Sequence, residues 1–342
     1  LNKVKVSVLF IFLLAAFILD VALGSVHIPI KEILKVLFTS DASNDTWVYI
    51  IEKIRLPKAL TAVIVGCGLS VSGLQMQTLF RNPLAGPSVL GITAGASLGV
   101  ALVMLSAGTI TSLYTIKELG ISGSWLIILA SSLGAALIML IIVSISSSLK
   151  DNVVVLIVGV MIGNITLSII SIWQYFSSPE LIKDYLMWTF GSLGGVTGAQ
   201  LLILAIAVFA GLLISFLSSK LLDALLLGDN YARSMGLTVK RARLLIVLST
   251  SILAGSITAF CGPIGFIGIA VPHLARALFN TSNHRLLIPA CCLIGTVLML
   301  VCDIIAQLPG SQTVLPINVI TALVGSPVVI WIIAGPTKLR GF

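Results

Sequence analysis

The stretch GDNYARSMGLTVKRAR, Gly228 to Arg243, stands between two runs that are almost wholly apolar. It carries Asp229, Arg233, Lys240, Arg241 and Arg243. Each flanking run is about 20 residues long, enough to cross a bilayer core as a helix. A short charged segment between two such runs is a loop of a polytopic membrane protein. The rest of the chain repeats the pattern. Of its 342 residues, 58% are hydrophobic and 9% are charged, against about a quarter charged in soluble domains. So few charges cannot cover a water-facing surface. The apolar runs are continuous rather than alternating, which argues against a β-barrel.

Ten spans are expected, at roughly 4–24, 58–80, 88–107, 124–147, 152–173, 199–218, 243–261, 263–280, 286–307 and 314–335. The seventh and eighth are separated only by Cys261-Gly262-Pro263, read as a tight turn. The first span ends in Ala22-Leu23-Gly24, a passable signal-peptide pattern, but it is long for one and reads as a retained helix. An even count puts both termini on one side. The larger share of the 20 basic residues lies on that side, among them Lys3, Lys5, Arg81, Lys150, Lys220, Lys240, Arg241 and Arg243. The positive-inside rule then makes the termini cytoplasmic, together with Gly228–Arg243. Two segments are helical but too short or too charged to span, 28–38 and 179–190. Both fall on the outer side, where Tyr185 and Trp188 suit a membrane interface. No linker or second domain stands out, so 1–342 is one transmembrane domain. A Gly/Pro-rich turn follows the second span (Arg81 to Pro87), and another follows the seventh (Gly262 to Gly265). By this topology the two halves point opposite ways, as inverted repeats do in many transporters.

Chemistry is sparse. The chain has no phosphate-binding glycine loop with Lys and Ser or Thr, so nucleotide hydrolysis is not expected of it. His27, His273 and His284 are isolated, no metal site is expected, and nothing resembles a nucleophile elbow. The five cysteines (Cys67, Cys261, Cys291, Cys292 and Cys302) lie within apolar spans without CxxC spacing and read as packing residues. Asp20 and Asp303 are the acids within spans, both near outer helix ends, where hydration or a bond to a neighbouring helix accounts for them. A proton- or sodium-coupled carrier would need acids near the midplane. Gly66, Gly68, Ser70, Ser72 and Gly73 on the second span predict close helix packing.

Further motifs add up to a resemblance. They are Ile54-Arg55-Leu56-Pro57-Lys58, Val71-Ser72-Gly73-Leu74-Gln75-Met76-Gln77, Arg81-Asn82-Pro83-Leu84-Ala85 and Leu90-Gly91. The second half adds Gly262-Pro263-Ile264-Gly265-Phe266-Ile267-Gly268, Val271-Pro272-His273-Leu274-Ala275-Arg276, Leu315-Pro316-Ile317 and Gly325-Ser326-Pro327. Across nearly its whole length the chain resembles the FecCD-type permease subunits of ABC importers for iron-siderophores, haem and vitamin B12. The resemblance implies an all-α, vitamin B12 permease-like fold of ten helices with cytoplasmic termini. It also implies a dimer with a second copy or a paralogue, two ATPase subunits beneath and a substrate-binding protein outside. ATP and Mg would be used by the ATPase, and this chain would bind no cofactor.

Three groups carry over. Arg55 and Lys58 match basic positions that face carboxylates of the binding protein, and Gln307 matches a third position that is basic in the vitamin B12 permease. Asn82 and Leu84 match loop positions narrowing the inner end of the pathway, and Ser147 and Ser148 lie near another constriction. The cytoplasmic segment of about 219–243 matches the short helices that seat in a cleft of the ATPase. There Leu225, Leu226, Leu227, Gly228, Ala232 and Met235 would supply the contact surface. Asp229 and Arg233, spaced i, i+4, are expected to pair, Gly236 to stop the helix, and Lys240, Arg241 and Arg243 to lie at the lipid boundary. The expected function is an importer permease for a ferric siderophore in a bacterial cytoplasmic membrane. Haem and a corrinoid are alternative cargoes, and a secondary carrier or channel is the alternative class.

Overall fold

The computed structural model describes residues 3–24, 26, 28–39, 44–105, 121–148, 152–196, 198–307 and 313–334. His27 lies outside them. Seven helices among the described residues are long and apolar enough to cross a membrane, and three shorter apolar helices accompany them. Together they are the ten spans the hydropathy marks out. In chain order the helices are α1 (Lys3–Ala22), α2 (Ile30–Thr39) and α3 (Asp45–Phe80). Then come α4 (Ile92–Leu105), α5 (Ile121–Ser148), α6 (Asn152–Phe176) and α7 (Pro179–Thr189). Next are α8 (Ala199–Leu217), α9 (Ser219–Leu226), α10 (Asp229–Ser234) and α11 (Val239–Cys261). The last three are α12 (Ile267–Phe279), α13 (His284–Ala306) and α14 (Ile317–Ala334). We call the end of the bundle holding α9 and α10 basal, and the end holding α7 apical.

The core is built on α3, which packs against α13, α12 and α11. The contact is close because side chains are missing. A Cβ on Gly73 would sit 1.7 Å from the carbonyl oxygen of Gly268 on α12. The pair Gly66 and Gly295 does the same for α3 and α13, where a Cβ would meet backbone at 2.4 Å. Lipid tails are as apolar as the helices, so dispersion between backbones this close, rather than expulsion of water, holds such helices together. Polar clamps add register. Gln75 of α3 donates to Ser249 Oγ at 3.0 Å and accepts from Thr250 Oγ1 at 3.0 Å, both on α11. Ser249 donates on to the Gly211 carbonyl of α8 at 2.8 Å.

Two boundaries differ from the sequence reading. Helix α3 begins at Asp45 and runs 36 residues, where the span was expected to start near 58. A π turn at Ile51–Arg55 carries the helix into Leu56 and Pro57. Proline cannot donate a hydrogen bond, and a helix tolerates it where the ladder is already locally rearranged. The second difference is the link between α11 and α12. It is not a tight turn but five non-helical residues, 262–266, followed by a helix of only 13 residues. Phe266 holds a φ of 66°, a region that side chains seldom occupy.

The irregular segment gives the internal echo its form. Helix α3 is followed by non-helical residues and a 3-10 turn (Pro87–Leu90) before the 14-residue α4. Helix α11 is followed by 262–266 before α12. At 1.5 Å per residue α4 and α12 are about 20 Å long, against roughly 30 Å of hydrocarbon. The non-helical segments complete the crossing, which is tolerated where backbone lines a cavity.

Replacing Gly73 with Leu should force α3 from α12 and destabilise the protein by about 3 kcal/mol. The assay is thermal unfolding in detergent followed by size-exclusion chromatography. Gly195→Leu, at a position where a Cβ meets nothing within 4 Å, should unfold at the parent temperature.

Candidate functional site

The two irregular segments converge. Gly86 lies against Ile269, and Pro87 against Gly268. Between them is a cavity of about 300 Å³, lined on one side by Leu69, Gly86, Pro87, Ser88 and Thr93. Ala254, Thr258, Ile264, Phe266, Ile269 and Asn318 line the other. The lining is mainly apolar, with a few hydroxyls and one amide. Asn318 Oδ1 accepts from the Gly265 amide at 3.0 Å, so the amide side chain shapes the 262–266 segment.

The 81–91 segment is anchored at its start. Arg81 takes a left-handed φ of 46° and closes α3. Asn82 Oδ1 accepts from the Leu84 amide at 2.9 Å, a local turn that fixes the chain reversal. His273 Nε2 of α12 lies 2.8 Å from the Pro83 carbonyl and donates to it. Gln77 of α3 accepts from Arg276 Nη1 at 2.7 Å and donates to the Ile269 carbonyl at 3.1 Å. Leu84 is exposed at the basal end. Ser147 and Ser148 fall in the last turn of α5; their side chains lie outside the described residues.

The basal helix pair departs from the sequence reading in two respects. The first is its ion pair. Asp229 pairs with Arg243 of α11 at 2.5 Å, not with Arg233. Arg233 is exposed, whereas Arg243 is buried. The i, i+4 rule presumes one isolated helix, but α10 packs on the start of α11, and a buried guanidinium draws the carboxylate more strongly than a solvated one. Arg243 is therefore not at the lipid boundary. The second respect is the contact surface. Leu225 and Ala232 point into the bundle, at 2% and 0% exposure. Leu226 is half-buried. Leu227, Tyr231 and Met235 face out, all more than half exposed. Gly228 joins the helices with a φ of 108°, which only glycine takes without strain, and Arg81 Nη1 lies 3.4 Å from where its Cβ would be. Gly236 has a φ of 79° and ends the segment.

At the apical end Arg55, Lys58 and Gln307 do come together, but inwardly. Lys58 Nζ pairs with Asp303 Oδ1 at 3.0 Å. Gln307 Nε2 donates to Asp20 Oδ1 and to Asp303 Oδ2, each at 3.1 Å. Arg55 donates to the Val21 and Ala22 carbonyls at 3.0 and 2.8 Å, and to Val26. All three are thus engaged within the chain itself. A buried carboxylate needs a nearby cation and donors, and the last carbonyls of α1 need a donor of their own. Asp20 and Asp303 are both 2% exposed and bond neighbouring helices.

One basal cluster had no signal in the sequence. His284, the first residue of α13, lies 2.6 Å from Asp223 Oδ1 of α9 through Nδ1 and 2.7 Å from Thr78 Oγ1 of α3 through Nε2. Its backbone amide also donates to Asp223 Oδ1 at 2.9 Å. Burial opposes charge on Asp223, but the two hydrogen bonds from His284 and the charge of Arg285 outweigh it, so the carboxyl ionises more readily than usual. The three residues are 206 positions apart at the extreme, and only the fold unites them.

Asp229→Ala should cost about 2 kcal/mol, the scale of a hydrogen bond to a charged group. Limited proteolysis of α9 and α10 reads it as faster cleavage. Arg233→Ala should cleave at the parent rate.

The model of the FecCD transport family matches residues 12–335. The hemin transport system permease protein HmuU of Yersinia pestis is 32% identical over 340 residues, covering 99% of both chains. The vitamin B12 import system permease protein BtuC of Klebsiella pneumoniae is 38% identical over 282 residues, covering 82% of this chain and 81% of its own. A solved metal-chelate type ABC transporter in an inward-facing conformation superposes with a TM-score of 0.83 at 25% identity, over 98% of this chain and 99% of that one. This chain, with several helices long and apolar enough to cross a membrane, belongs to the FecCD transport family.

Proposed function

We propose that the chain is the permease subunit of an ATP-driven, binding-protein-dependent importer, with a ferric siderophore as cargo. The observation that carries the reading is the exposed apolar patch of Leu227, Tyr231 and Met235 at the basal end. The positive-inside rule assigns that end to the cytoplasm. An apolar patch amid polar residues, projecting from two short helices, is suited to a protein cleft rather than to water. The partner that would fill it is an ATPase subunit, one on each of two permease chains. It would supply the ATP and Mg chemistry.

In this mechanism the cavity between 81–91 and 262–266 is part of the cargo path. Its few polar groups and mainly apolar walls suit a large chelate held weakly enough to leave. Asn82 and Leu84, with Ser147 and Ser148, would narrow the basal exit. At the apical end a binding protein would dock over Arg55, Lys58 and Gln307, an incoming carboxylate competing with Asp303 for Lys58. The secondary-carrier reading loses ground to the position of Asp20 and Asp303. Both are locked at the apical end with Lys58 and Gln307, not poised midway along the path. Because relatives in this family are named for hemin and for vitamin B12 transport, those two cargoes are the rivals to a siderophore.

Purification from the source membrane should retain an ATP-hydrolysing subunit; repeated recovery of the permease without one overturns the importer reading. Uptake into cells expressing the complex should be seen with an iron-55 ferric hydroxamate and not with hemin or cyanocobalamin. Uptake of either rival reassigns the cargo. Gly228→Leu should reach the membrane at the parent level yet lower uptake by about tenfold or more, since strain at its φ and contact with Arg81 disturb the basal surface.

A further inference from the structure

His284 ties its own helix, α13, to α9 and α3, and its position suggests why. Asp223 lies on α9, within the helix pair that presents the exposed patch. Thr78 lies in the last turn of α3, three residues before the 81–91 segment begins. The adjacent Gln77 bonds α12 through Arg276 and the Ile269 carbonyl, and α12 in turn holds Pro83 through His273. Hydrogen bonds, joined by the backbone between Thr78 and Gln77 and along α12, therefore lead from the basal helices to the segment that borders the cavity.

At Thr78 the connection has a choice of acceptor. With Nδ1–H donating to Asp223, His284 Nε2 is an acceptor. Thr78 has one hydroxyl proton and two acceptors in reach, His284 Nε2 at 2.7 Å and the Leu74 carbonyl at 2.9 Å. If α9 draws Asp223 outward, His284 follows, because two of its nitrogens are tied to the same carboxylate oxygen. The Thr78 proton is then left to Leu74, and α3 loses its hold on α13 at this point. Coupling between sites needs such a bistable element, not mere adjacency.

We propose that Asp223, His284 and Thr78 form the link that transmits movement of the basal helix pair into α3 and the 81–91 segment. His284 is a positioning residue in it. The inference rests on the importer reading above, since an ATPase subunit is what would move α9.

The test uses the purified permease–ATPase complex reconstituted in vesicles with the basal face outward. Leu84→Cys serves as reporter, labelled by a charged, membrane-impermeant maleimide with and without ATP and orthovanadate. The complex lacking that cysteine measures background from the five native ones. In the otherwise unaltered complex, nucleotide should change the labelling rate by about tenfold, the scale of a typical coupling free energy. Thr78→Val and Asp223→Leu, which nearly keep volume but remove the bond, should reduce that response to within about twofold, while Thr78→Ser restores it. The ATPase subunit should co-purify with all of them, which a general loss of folding would not allow. An unchanged nucleotide response in Thr78→Val overturns the link; so does the absence of a response in the unaltered complex with its ATPase bound. Failure to recover any ATPase subunit overturns the importer reading, and the link with it.

Discussion

The structure depends on how closely α3 is approached. In hydrocarbon there is little hydrophobic drive to bring two apolar helices together, so the contact must come from packing itself. Gly73 facing Gly268 and Gly66 facing Gly295 let backbone touch backbone along one rod. Everything placed around the cavity follows from that. Helix α12 can be short because its start is held against α3 at Leu69 and Gly73. The 262–266 segment can be irregular because the same contact encloses it, and Gly86 and Pro87 reach it from the other side. A larger residue at Gly73 would move the lining of the cavity as well as the helix.

Polar residues in this apolar interior are used as ties. Gln75, Ser249 and Thr250 satisfy one another across α3 and α11. The apical cluster balances Asp20 and Asp303 with Lys58 and the Arg55 guanidinium nearby, and Gln307 bridges the acids. The basal cluster joins Asp223, His284 and Thr78. Each tie connects elements far apart in sequence, and each sits where an unpaired group would be costly.

That distance separates what the sequence discloses from what it does not. Continuous apolar runs give the ten spans, because helical length against bilayer thickness is a local property. The short apical helix at Pro179–Thr189 is legible for the same reason. The pairing of Asp229 is not, since Arg233 and Arg243 are equally plausible partners until α10 is seen folded against α11. The Arg55 side chain was equally illegible: a basic residue at a helix entrance looks ready to project, and only the carbonyls left open at the end of α1 explain why it turns inward. The gap after Cys261 was misread because Gly-Pro signals a turn in any setting. Whether the chain reverses at once or runs five residues through the interior depends on what stands beside it.

Gln75 has a kinematic consequence. Its amide is completely buried, bonds α11 directly and reaches α8 through Ser249. Sliding α3 past α11 by even one residue would strand that amide in hydrocarbon with no water to replace its partners. Helices α3, α8 and α11 must therefore travel as one body. A movement that keeps these bonds carries the three helices together, and one that parts them has to find new partners for a buried amide.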